Sequence, residues 1–105
     1  MVNILNVAMY GAIRVARREL DKHCYACGLP IRMGEIYKVV AGRYIHLTCL
    51  VKRYPRKLPR IVKVLSEKYG REVALDFLFT VKSYFKEKPH LTRYLIEAEE
   101  ILSKD

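Results

Sequence analysis

Two Cys/His pairs of matched spacing, a strand-turn-strand pattern between them and helical periodicity on both sides predict an α+β fold. In that fold a small metal-organised finger, made of a knuckle, a β-hairpin and a short helix, packs with an N-terminal helix and a C-terminal helical bundle. The expected divisions are an N-terminal helix over 1–22, a finger over 23–54, a basic connector over 55–60 and a helical region over 61–105, within one domain of 105 residues.

Composition narrows the class. Apolar residues make up 51% of the chain and charged residues 30%, too hydrophobic for a disordered chain and too interrupted by charge for a membrane span. The N-terminal apolar stretch Ile4–Ile13 is broken by Asn6, its basic residues follow it, and it lacks a signal-type cleavage site, so a cytoplasmic location is expected. The net charge of +9 is uneven: residues 1–22 carry +2, residues 23–60 carry +7 and residues 61–105 carry none. A basic block beside a neutral one points to a face that meets a polyanion. The absence of Gln and Trp, with abundant Lys, Arg, Glu, Ile, Val and Tyr, resembles a thermophile's composition.

Taking the elements in order, residues 4–20 place Leu5, Ala8, Met9, Ala12, Ile13, Ala16 and Leu20 at helical spacing, with Arg14, Arg17 and Arg18 beside that stripe. Three cysteines follow, Cys24, Cys27 and Cys49, an odd number that argues against a disulfide framework in an intracellular chain. Cys24-Tyr-Ala-Cys27-Gly28 is a knuckle: a tight turn brings two sulfurs to one point, and Gly28 supplies a backbone conformation that a side chain would penalise. His46-Leu-Thr-Cys49 repeats the spacing after eighteen intervening residues, so three thiolates and one imidazole are available, the four donors of a tetrahedral structural zinc site. Between the pairs, the β-branched and aromatic runs Glu35–Val40 and Arg43–Leu47 meet across Ala41-Gly42, which predicts an antiparallel hairpin. Leu50–Tyr54 continues as a short helix ended by Pro55, putting the second ligand pair at a strand-to-helix junction.

This arrangement over residues 23–54 resembles a treble-clef zinc finger. Its ligand order and spacing are similar to the first zinc module of LIM domains and more loosely to the fingers of poly(ADP-ribose) polymerases, and small archaeal zinc proteins with one such module and a helical tail also look like this chain. The resemblance carries over the ligand positions Cys24, Cys27, His46 and Cys49. A LIM domain continues directly into a second ligand set, whereas here Leu50, Val51 and Lys52 follow and no cysteine remains. Four protein ligands leave no open position, so one structural Zn2+ is expected rather than a catalytic one. The competing reading makes Cys24 and Cys27 a redox pair, Cys49 a buried thiol and His46 a solvent-facing strand residue; no βαβ pattern surrounds Cys24 to support it. His23 is an alternative fourth ligand, disfavoured by the equal spacing of the two pairs.

Beyond the finger, Lys52-Arg53-Tyr54-Pro55-Arg56-Lys57-Leu58-Pro59-Arg60 holds five cations in nine residues, with two prolines that forbid one long helix and a tyrosine able to stack on a base. Arg32, Lys38, Arg43 and Tyr44 on the hairpin or its approach extend that surface. Three helices follow: one opened by Pro59 and closed by Gly70 with Ile61, Val62, Leu65 and Tyr69 inward; one over 72–86 with Val73, Phe77, Leu78, Val81, Tyr84 and Phe85 inward; one over 90–103 with Leu91, Tyr94, Leu95, Ala98, Ile101 and Leu102 inward. A helix-turn-helix around Gly70 is disfavoured, because the would-be recognition helix is rich in large apolar residues.

The expected function is a zinc-stabilised nucleic-acid-binding protein, for DNA or RNA, contacting phosphates through Arg43, Lys52, Arg53, Tyr54, Arg56, Lys57 and Arg60. The alternative is a protein–protein interaction module or homodimer. No membrane or small-molecule substrate is expected, and no enzymatic activity, since His23 and His90 have no identifiable acid-base partners.

Overall fold

In the computed structural model, residues 13–103 are described. The chain is α+β and divides into two compact units between Leu50 and Val51. The first contains a three-stranded antiparallel sheet in the order β1 (Ile13–Val15), β2 (Ile36–Val40), β3 (Arg43–His46). The hairpin forms where the alternation predicts it. Ala41 at φ 51° and Gly42 at φ 79° both occupy the left-handed region, which matches the twist of a two-residue hairpin turn and sets the register Val40↔Arg43 through Tyr37↔His46. Helix α1 (Leu47–Arg53) begins directly after β3, as the second ligand pair requires.

One expectation is corrected here. Within the helix expected over 4–20, Ile13–Val15 form β1, paired with Ile36–Lys38, and residues 16–20 are not helical; the rest of that helix, including Leu5, Ala8, Met9 and Ala12, lies outside the described residues. Ile13 and Val15 are β-branched and Arg14 between them is exposed, a period of two that the longer apolar stripe conceals. What decides the outcome is a partner strand, and a strand's partner is not a local property. Lys38, expected on the basic surface, is also corrected: as the middle residue of the central strand it shares a row with Ile13 and Ile45 and is buried.

The second unit is a bundle of α2 (Leu58–Tyr69), α3 (Arg71–Lys86) and α4 (Thr92–Ser103), each of which packs against the other two. The connector is largely helical. Tyr54 interrupts the chain, Pro55–Lys57 form one 3-10 turn, and α2 starts at Leu58, which is fully buried. Pro59 lies in the first turn of α2, where its missing N–H is not needed, and the Gly70 N–H caps the last turn on the Ser66 carbonyl at 3.0 Å. Leu65, Val81, Phe85, Ala98 and Leu102 fill the interior of the bundle. No helix among the described residues is long and apolar enough to cross a membrane.

Leu65 is fully buried on α2, which packs against both other helices, so Leu65→Ala leaves a cavity in the bundle. The expected loss is about 2–5 kcal/mol of unfolding free energy, read from urea titration followed by circular dichroism.

Candidate metal centre

The knuckle is held by its own backbone: the Gly28 N–H donates to the Cys24 carbonyl at 2.7 Å and the Cys24 N–H to the Leu29 carbonyl at 2.9 Å. Gly28 sits at φ 79° with open space where a Cβ would be, so backbone conformation rather than crowding favours glycine there. Two further hydrogen bonds attach the knuckle to the outer edge of β3. The Tyr25 N–H donates to the Tyr44 carbonyl at 2.9 Å, and the His46 N–H to the Cys24 sulfur at 3.4 Å.

This docking brings Cys24, Cys27, His46 and Cys49 together, with one ligand atom from each lying within 4.8 Å of all the others. For donors about 2.0–2.3 Å from a tetrahedral ion, mutual separations come to roughly 3.5–4 Å. A contraction of at most about 1.3 Å therefore closes the cluster on one ion, and the donor set fits a metal. Cys24 and His46 are buried, Cys49 is partly exposed and Cys27 exposed, so the site lies at the edge of the sheet with one side open to water. All three cysteines are free thiols. His23 is exposed at an isolated bridge to Pro30 and is not among the four.

The imidazole is oriented from both sides. His46 Nδ1 lies 3.3 Å from the Cys27 sulfur and faces the cluster, while Nε2 lies 3.2 Å from a Glu35 carboxylate oxygen. The same oxygen accepts the Arg32 backbone N–H at 2.6 Å, which ties the carboxylate to the turn before β2. A carboxylate behind a ligating histidine fixes the tautomer and makes the ring a better donor. Sequence reasoning missed Glu35, although a signal for it was present. Counting pairs back from the Ala41-Gly42 turn sets His46 opposite Tyr37, and Glu35 lies two residues further on the same side.

The sulfurs differ electrostatically. Burial raises the Cys24 pKa, but backbone hydrogen bonds from His46, Cys27 and Ala26 outweigh it and lower the thiol to about 6. Burial, then the charge of Cys24 and hydrogen bonding with Cys24 and Cys27, push Cys49 up to about 12. The two shifts oppose one another, since the charge on Cys24 disfavours ionisation of Cys49.

The residues expected to meet phosphate lie on the surface of the two units. In the first, Arg43 is exposed and its guanidinium sits 5.9 Å from the Tyr25 ring centre, while the Lys22 ammonium sits 5.8 Å from that of Tyr44. Tyr44 in turn stacks on Tyr37 at 5.6 Å. In the second, Lys52, Arg53, Arg56 and Arg60 are exposed, Lys52 lies 5.4 Å from the Tyr84 ring, and Lys57 lies 5.5 Å from the ring of the half-exposed Tyr54. Compared with known proteins, the chain matches no family model, no curated protein and no solved structure.

Two outcomes test the centre. Glu35→Ala is expected to weaken metal affinity about 10–100-fold in a chelator competition, and Glu35→Gln, which keeps an acceptor oxygen, by less. Metal uptake at neutral pH is expected to release protons, because Cys49 is still a thiol there; affinity falls as pH falls and falls more steeply below about 6, where Cys24 protonates. Calorimetry in buffers of different ionisation enthalpy reads this directly.

Proposed function

We propose that the chain is a zinc-stabilised nucleic-acid-binding protein whose finger follows the treble-clef pattern. The soft donor set of three cysteines and one histidine favours zinc, and its four protein ligands suit a structural ion rather than a catalytic one. Structural zinc supplies about 10–16 kcal/mol of apparent binding free energy in finger peptides. On a unit of this size, that is enough to make folding of the knuckle depend on the metal.

The observation that carries the nucleic-acid reading is the alternation of cations with tyrosine rings beside the metal centre, Lys22 on Tyr44 and Arg43 on the exposed Tyr25. Tyr25 stands between the two knuckle cysteines, so the metal would hold rigid the ring that meets a base. An exposed aromatic flanked by a guanidinium or ammonium presents one surface for stacking and another for phosphate, without reading sequence. Lys57 on Tyr54 repeats the arrangement in the basic connector, with Arg53, Arg56 and Arg60 nearby in sequence. The protein acts in this reading by holding the strand, and single-stranded DNA or RNA is the favoured form.

Fluorescence anisotropy with labelled single-stranded DNA and RNA of mixed sequence tests the reading. Log affinity is expected to fall linearly with log salt, with a slope of about 0.7 per phosphate contacted. Neutralising Arg53, Arg56 and Lys57 together flattens that slope, whereas Tyr25→Ala weakens binding about 5–100-fold with the slope retained. A slope near zero, or no response to either change, refutes the proposal.

A further inference from the structure

The bundle leaves one helix face without an internal role. On α3 the buried side is Ala74, Phe77, Leu78, Val81 and Phe85. The opposite side carries Glu72, Leu75, Asp76, Phe79, Lys82 and Lys86, each three or four residues from at least one other, so that they form one row along that face. Phe79 at its centre is 80% exposed, the most exposed of the large hydrophobic side chains among the described residues, and Leu75 one turn away is 41% exposed. A phenylalanine held almost wholly in water leaves a large apolar ring solvated, and among the described residues of the bundle none packs over it.

The charges along this row specify what would cover it. Glu72 and Asp76 precede Phe79, and Lys82 and Lys86 follow it. Their spacing is symmetric: Glu72 and Lys86 stand seven residues on either side of Phe79, and Asp76 and Lys82 stand three. Reversing the helix about Phe79 therefore exchanges each acid for a base. We infer that α3 is the contact of a homodimer in which a second copy lies antiparallel across it, with Phe79 on the twofold axis. Glu72 then faces the second copy's Lys86, Asp76 lies level with its Lys82, and the Lys82 stem covers Leu75. A parallel arrangement would oppose acid to acid and base to base, so the charge order selects the antiparallel one. Among the described residues Lys82 makes one loose ion pair, 4.0 Å from Glu99 with both side chains substantially exposed, which leaves it able to turn toward a partner.

This inference is independent of the nucleic-acid reading, since it uses neither the finger nor the connector. The test is the mass of the full zinc-loaded chain, freed of nucleic acid, measured by light scattering and sedimentation at tens of micromolar and near-physiological salt. A dimer is expected. Phe79→Asp, at an exposed position that leaves the fold intact by circular dichroism, weakens it at least roughly thirtyfold. Glu72→Lys and Lys86→Glu each weaken it roughly tenfold, because each creates a like-charged pair at both symmetric ends. Mixing the two single variants restores the dimer, since every juxtaposed pair is again of opposite sign. A monomeric wild type, a dimer indifferent to Phe79→Asp, or a mixture no tighter than its components overturns the proposal.

Discussion

The four-donor cluster of this protein depends on the docking of a cysteine knuckle along the outer edge of β3. Tyr25 donates its N–H to the Tyr44 carbonyl, and His46 donates its own to the Cys24 sulfur. Without those two bonds, Cys24 with Cys27 and His46 with Cys49 are separate pairs far apart in sequence; with them, four donor atoms share one small volume. The second bond has two effects, since it positions the sulfur and also favours its ionised form, the form a metal requires. The knuckle also covers a strand edge that would otherwise be open to pairing with another chain.

From that constraint the surroundings of the cluster follow outward. His46 is the hinge: its backbone holds Cys24, one ring nitrogen faces the cluster and the other meets Glu35. Glu35 is in turn held by the Arg32 N–H, so the orientation of one ligand is set by the backbone on the far side of the hairpin. The side chains that border this centre, Tyr25, Tyr44, Arg43 and Lys22, are presented by the knuckle, the strand and the segment leading to them. A metal held by the four donors would organise the exposed rings and cations along with the backbone. The helical unit is built differently, from apolar burial across three helices, and its distinctive surface feature is an apolar residue at the centre of a charge-balanced row.

Much of this was legible in the sequence because it is governed by short-range rules. The paired spacing of Cys24, Cys27, His46 and Cys49 marks the four donors that come together, the Ala41-Gly42 turn sets the hairpin register, and the periodicity of residues 58–103 together with Pro59, Gly70 and Pro89 delimits three helices. These features depend on residues a few positions apart, or on a turn that counts outward by itself. Only tertiary structure decided the remainder. Ile13–Val15 became a strand because β2 offers hydrogen-bond partners that a helical stripe does not reveal, and Lys38 was buried because a central strand has two neighbours. Glu35 became the partner of His46 through a cross-strand diagonal, and Phe79 was left in water because the bundle closes on the other side of α3. Each of these outcomes turns on which surfaces meet across long loops, and patterning along one segment constrains that only weakly.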